Sequence, residues 1–312
     1  MTQFLIEKDP PKVAHFFWGD TPMSWLRYLT LYSFRKYNPD WTIKLYLSKS
    51  NIKNKTWAEH NELDYFKYYG CDFSEKLANI NVEILQWKFP EKKTSIQIEN
   101  LGPSYQSDLF GWSKMYYDGG FYFDMDILFV KSMDSVYEYV SQGPGAICIY
   151  EGKFMIGALS SIPGCKFFND IYKSALSVAS SENYQSAGVY SVYHWLDLSF
   201  GDRTAVSPDK IYTNKIYEQR FKQLYPEVVV LDYDYFYYFG QNISGTKDFS
   251  DIYEKNLFEE FINNKNSTGL HWYGGNPHIQ KINIGMSEKN YKNYNNTLSE
   301  CVKYIMDTKW AE

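Results

Sequence analysis

Residues 107–130 read SDLFGWSKMYYDGGFYFDMDILFV. Leu109, Trp112, Met115 and Tyr116 recur at helical spacing, which predicts a helix over 104–118 with one apolar side. Gly119-Gly120 supplies the kind of residue that ends such a helix. Phe121-Tyr122-Phe123 then predicts a buried strand that delivers two carboxylates, Asp124 and Asp126. Side chains alternate along an extended strand, so this pair is expected on one face. Acids inside an apolar run, with Phe121–Phe123 before and Ile127–Val130 after, are costly unless a cation or hydrogen bonds compensate them. Two converging carboxylates suit a hard divalent cation that also grips phosphate oxygens. The competing reading, acids facing water at a strand end, fits those apolar flanks less well.

Outward from this stretch, KVAHFFW (12–18) predicts a buried first strand, broken by Gly19-Asp20-Thr21-Pro22. From Ser24 to Tyr37 the apolar residues Trp25, Leu29, Tyr32 and Phe34 recur near helical spacing, and Asn38-Pro39-Asp40 stops that helix. WTIKLYL (41–47) alternates, with Ile43, Leu45 and Leu47 on one side, and predicts a second strand. This βαβ opening favours a parallel sheet with crossover helices. Further on, 48–80 is expected to be helical, 82–85 a short strand and 88–103 a loop. Strands are expected at 146–150 and 228–231, helices at 168–179 and 186–198, a glycine-rich loop at 269–277 (GLHWYGGNP) and a final helix over 288–306.

Composition narrows the function classes. A chain of 312 residues with 44% hydrophobic and 22% charged content suits a globular protein with a sizeable core. Its formal charge of −5 argues against a nucleic-acid wrapper, which would carry a basic footprint. The aromatic content is high, 19% with 30 tyrosines, and tyrosine combines apolar area with a polar tip that suits carbohydrate faces as well as cores. Cysteines 71, 148, 165 and 301 show no CxxC spacing, so neither a zinc site nor a disulfide framework is expected. The first twelve residues, MTQFLIEKDPPK, lack the pattern of a secretory signal, and no apolar run approaches the roughly 20 residues of a membrane span. A cytoplasmic location is the expectation.

Four further positions are candidates. Asp108 is expected in the first turn of the 104–118 helix, where it could approach the acid pair and accept hydrogen bonds from hydroxyls. Trp18 ends the first strand, at the sheet edge where open α/β folds bind ligands, and its ring could stack on a flat base. His271 and Trp272 lie in the glycine-rich segment, His271 as a possible metal ligand, and Gly274-Gly275 would let backbone approach a phosphate. That segment could close over a ligand as a lid.

With these residues assembled, the chain resembles the DXD-containing glycosyltransferases, the family of capsular-polysaccharide and yeast-type mannosyl- and galactosyltransferases, and more distantly the glucosyltransferase domains of large clostridial toxins. Pro11-Lys12-Val13-Ala14-His15-Phe16-Phe17-Trp18-Gly19, then Ser33 and Tyr37-Asn38-Pro39-Asp40-Trp41, resemble the family's opening. Ser107-Asp108 through Gly119-Gly120-x-Tyr122-x-Asp124-x-Asp126 resembles its central motif with the same spacing, and His271-Trp272 is a looser match near its C-terminal segment. The resemblance implies a GT-A type α/β fold, a Rossmann-like, mixed but mostly parallel sheet with flanking helices and helical additions. It implies one domain over 1–312: a nucleotide-sugar core at 10–150, an acceptor side and lid at 151–287 and a C-terminal helix at 288–306.

By the same resemblance, Trp18 stacks on the base and Asp108 holds the sugar. Asp124 contacts ribose or sugar, Asp126 ligates Mn2+ or Mg2+, and His271 completes the metal or diphosphate site. Asp108, Asp124 and Asp126 are then the catalytic set, and Trp272 joins Trp18 at the donor. The implied partners are a nucleoside diphosphate sugar, a UDP-hexose first, and a glycan or other hydroxyl acceptor, with retention of anomeric configuration. One position departs: the family's arginine three residues after Asp108 is Gly111 here, and Lys114, one turn on, is expected to supply the charge. Two other readings compete. A haloacid-dehalogenase-like phosphohydrolase also carries D-x-D, but at its first strand and followed by Thr or Val rather than Ile127. A non-catalytic carbohydrate-binding protein on a transferase fold would tolerate Gly111.

Overall fold

The computed structural model describes residues 9–19, 21–49, 68–90, 97–178, 186–201, 214–240 and 247–310. Most of the helix expected at 48–80 lies outside them. The strands are β1 Val13–Trp18, β2 Thr42–Leu47, β3 Glu83–Gln86, β4 Gly120–Phe123, β5 Ile127–Phe129, β6 Gly145–Tyr150, β7 Lys153–Ser161, β8 Val229–Leu231, β9 Phe239–Gly240, β10 Lys247–Asp248 and β11 Gly269–His271. The α-helices are α1 Trp25–Tyr37, α2 Pro103–Tyr117, α3 Asp134–Val140, α4 Lys166–Val178, α5 Val189–Ser199, α6 Ile216–Leu224, α7 Asp251–Glu254, α8 Phe258–Asn263, α9 Pro277–Gly285 and α10 Thr297–Asp307.

Seven strands form the main sheet in the order β3-β2-β1-β4-β7-β6-β8. Every neighbouring pair is parallel except those made by β7, which runs antiparallel to both β4 and β6. The expected class, a mixed and mostly parallel sheet flanked by helices, is what the chain builds. Two apolar clusters sit on opposite faces of the sheet. Alternation along β4 sends Phe121 and Phe123 to the face carrying α1 and α10, and Tyr122 to the face carrying α2, α4 and α5. A strand buried on both faces reads as an unbroken apolar run, which is why FYF stands out in the sequence.

The turn into β4 follows from glycine chemistry. Gly119 has φ +66° and Gly120 φ +86°, and the Gly119 amide donates to Lys114 O (3.0 Å), closing α2. His15 Nε2 donates to Gly119 O (3.0 Å) and pins the turn under β1. Burial, the dominant effect on His15, lowers its pKa to about 4 and keeps it neutral.

Three expectations are corrected here. The segment 269–271 is a strand, β11, antiparallel to β5, and not a loop. The final helix starts at Thr297 and not near 288, because Asn296 accepts from Ser299 N (2.9 Å) and Ser299 Oγ accepts from Asn296 N in return, a capping box. Helix α2 starts at Pro103 behind Gly102, so Asp108 falls in its second turn. No helix among the described residues is long and apolar enough to cross a membrane.

Candidate active site

The two aspartates do converge, but not by strand alternation. β4 ends at Phe123, and Asp124-Met125-Asp126 form a turn before β5. Met125 points into the core while its neighbours do not. Helix α1 holds this turn through polar side chains on its buried face. Thr30 Oγ1 donates to Met125 O (2.9 Å), Ser33 Oγ accepts from Phe129 N (3.0 Å), and Asn38 Oδ1 accepts from Met133 N (2.7 Å). Ser33 and Asn38, quoted above as family motif residues, are therefore fasteners of the turn.

β11 brings the third group. His271 pairs in register with Ile127, and one ligand atom each from Asp124, Asp126 and His271 lie within 4.8 Å of one another. His271 Nε2 stands 3.2 Å from Asp126 Oδ1 and 3.8 Å from Asp124 Oδ2, yet neither ring nitrogen is aligned in a hydrogen bond. The rings of Tyr237 and Tyr273 wall it in, with centroids 5.3 and 4.3 Å away. Each carboxylate has one oxygen committed and one turned to His271. Asp124 Oδ1 accepts from Tyr122 Oη (2.6 Å), and Asp126 Oδ2 accepts from Gly274 N (2.7 Å).

Electrostatics follow this geometry. Burial alone would raise the Asp126 carboxyl, but His271, Arg27 and the Gly274 amide outweigh it and hold the group well below the usual carboxylate range. Burial opposes a charged His271, but the two facing carboxylates win and lift it to about 9. Burial, then the charge of Asp124, pushes Asp108 well above the ordinary range, and the same two causes push the Tyr122 phenol up. Asp108 and Tyr122 thus keep their protons beside Asp124 and are fitted to donate hydrogen bonds there.

The structure brings Asp108, Asp124, Asp126, His271 and Trp18 to one region. It does not bring Lys114 there. Lys114 Nζ pairs with Asp118 (2.6 Å) and lies over the Tyr46 ring, because one helical turn beyond Gly111 keeps roughly the same face but carries the side chain along α2 to its C-terminal end. Trp272 is also corrected: it is fully buried, since alternation after the inward His271 sends the indole into the core. Its indole meets the site through Arg27, whose guanidinium lies between the indoles of Trp272 (4.7 Å) and Trp18 (5.4 Å) and 3.7 Å from Asp126 Oδ2, while its backbone N donates to Asp126 O (2.9 Å). Arg27 and Tyr122's bonding role were missed from the sequence. A usable signal existed for the first: this chain has only four arginines, at 27, 35, 203 and 220, among 32 basic residues. Arginine in a lysine-rich chain marks places needing a planar, buried cation.

Two carboxylate oxygens and an imidazole nitrogen, crowded within 4.8 Å of one another with no aligned hydrogen bond between ring and acids, are a donor set suited to a divalent ion such as Mn2+.

No protein-family model matches the chain, and no curated protein matches it in sequence. Among solved structures it is similar to the PaToxG glycosyltransferase, at 15% identity and a TM-score of 0.38, over 95% of this chain and 87% of that one. It is similar to the apo-form glycosyltransferase GlyE of Streptococcus pneumoniae TIGR4, at 12% identity and a TM-score of 0.43, over 96% of this chain but only 61% of that one. It is likewise similar to the galactosyltransferase LgtC in complex with donor and acceptor sugar analogues, at 12% identity and a TM-score of 0.39, over 90% of this chain and 99% of that one. The functional reading rests on the site itself.

Proposed function

We propose that this protein is a metal-dependent glycosyltransferase that moves a hexose from a nucleoside diphosphate sugar, a UDP-hexose first, to a hydroxyl acceptor with retention of configuration. One observation carries the reading: in each of Asp124 and Asp126 one oxygen is tied back while the other turns to His271, with the three ligand atoms within 4.8 Å of one another. That arrangement would hold Mn2+ (or Mg2+), which when bound supplies charge neutralisation at the departing diphosphate.

The chain's own residues would do the rest. Tyr122 and the Gly274 amide orient the carboxylates. Asp108, with its raised pKa, would bind sugar hydroxyls as the partner that can give or take a hydrogen. Trp18 would stack on the base. No side chain is assigned as a nucleophile, because return of the acceptor on the same face, assisted by the leaving phosphate, needs none.

A panel of UDP- and GDP-sugars, followed by nucleoside diphosphate release with and without Mn2+, tests the reading. The expected result is Mn2+-dependent release from at least one UDP-hexose, abolished by EDTA. Hydrolysis of simple phosphate esters with no sugar-nucleotide turnover would transfer the case to a phosphohydrolase. Binding of donors without turnover, even to water, would make it a carbohydrate-binding protein.

A further inference from the structure

Arg27 is held in a manner unlike the other described arginines. Arg35 donates four hydrogen bonds to the carbonyls of Ile80, Pro39, Trp41 and Asn81 at 2.8–3.2 Å, stitching loops to α1. Arg220 makes a 2.6 Å ion pair with Asp197. Those are arginines used as structure, with their fork donors committed. The Arg27 guanidinium makes no hydrogen bond to any described residue, and its approach to Asp126, 3.7 Å, is too long for one. It packs instead over the two indoles and close to Gly274, where an added Cβ would lie 2.2 Å from Nη2. A guanidinium with only 16% of its side chain exposed, packed among rings with its donors open, is prepared for oxygens that arrive with a ligand.

The local charge says which oxygens. Asp124 and Asp126 supply two negative charges, and among the described residues Arg27 is the only Lys or Arg ion-paired to either. A nucleoside diphosphate adds more negative charge, which one divalent ion does not fully offset. We propose that Arg27 is the positioning residue that binds a phosphate of the donor's diphosphate. This rests on the nucleotide-donor reading above and adds to it the residue that discriminates a diphosphate from a bare nucleoside.

The test is binding and not turnover: titration of UDP, GDP and uridine into the intact protein, in EDTA and in Mn2+, for wild type, Arg27→Gln, Arg27→Lys and Gly274→Ala. Loss of charge-assisted hydrogen bonds predicts that Arg27→Gln weakens UDP binding about tenfold or more in both buffers, while uridine binding stays within about twofold. Arg27→Lys, which keeps the charge but not the fork, should fall between. Gly274→Ala, which displaces the guanidinium without removing it, should weaken UDP and spare uridine in EDTA, the buffer in which the Asp126 carboxylate held by the same Gly274 amide carries no metal. These two variants carry the test should Arg27→Gln fail to fold. Unchanged UDP affinity in the variants, or equal loss of UDP and uridine, overturns the role of Arg27 alone. Failure of the wild-type protein to bind UDP or GDP even with Mn2+ overturns the donor reading itself.

Discussion

Two clusters of buried acids in this molecule look alike in composition and differ in bonding. Between α4, α5 and α6, Asp197 accepts from Arg220 (2.6 Å) and Tyr217 (3.1 Å). Nearby, Asp170 accepts from Lys166 (2.5 Å) and Tyr225 (2.9 Å), whose hydroxyl also accepts from Trp195 Nε1 (2.6 Å). Both carboxylates are paired with aligned donors. At the end of β4, Asp124 and Asp126 converge on an imidazole paired by charge at 3.2 and 3.8 Å but with no aligned hydrogen bond, and a guanidinium is set back at 3.7 Å. An acid, a tyrosine and a basic group make structure when their hydrogen bonds close. They make a site when those bonds stop short, because the remaining valence is then available to a ligand.

The comparison can be broken most directly by matched substitutions. Asp124→Asn should cut Mn2+-dependent donor turnover by about 10^3-fold, since it removes a charge that organises the transition state. It should leave unfolding free energy within about 1 kcal/mol of wild type, because it relieves crowding among like charges. Asp197→Asn should do the reverse. It removes the charge from a 2.6 Å, largely buried ion pair with Arg220 and should cost about 3 kcal/mol in urea unfolding, with turnover of the folded protein retained. Equal destabilisation by the two substitutions would erase the distinction.

A smaller effect isolates the framework from the site. Folded His15 titrates near 4, below the ordinary 6.5, so the unfolded chain binds the extra proton between those values. The associated stability is complete above about pH 6.5 and is lost as pH falls toward 4, up to about 3 kcal/mol. His15→Gln, which keeps a donor for Gly119 O, should flatten that part of a urea-unfolding profile against pH. An unchanged slope would place the acid sensitivity in the site cluster instead.

The smallest expected change concerns Gly111. Its Cβ would stand 3.4 Å from the Tyr122 ring, an ordinary contact. Gly111→Ala should therefore raise stability by about 0.5–1 kcal/mol through helix propensity. A loss of stability would show that Tyr122, and the carboxylate it orients, is seated against α2 with no room to give.

The legibility of these features varied for definite reasons. Strands β1 and β4 were visible as dense apolar runs and β2 by its alternation of Ile43, Leu45 and Leu47. β7 was not anticipated, although it supplies the antiparallel partner of β4. It reads KFMIGALSS, without the alternation or β-branched density that marks a strand, and its pairing is formed by distant residues. At the site, Asp124, Asp126 and Asp108 were found by spacing and His271 by residue type. Lys114 lies away from the acid turn because one helical turn carries it along α2 toward the C-cap Asp118, and Trp272 is turned into the core by alternation after His271. Arg27 lies 97 positions before Asp124 and belongs to a helix with several polar residues, so nothing local distinguished it from a solvated cation.

Local chemistry in the chain was enough to specify a mostly parallel α/β sheet and an acid pair at the end of its fourth strand, because apolar period and paired glycines act over a few residues. Which oxygen of each acid is tied back, which histidine faces them and which arginine lies between two indoles were decided only when α1, β5 and β11 packed together. Those relations depend on contacts between residues far apart in sequence, and a hydrogen bond left open can be recognised only once every nearby donor and acceptor is in place.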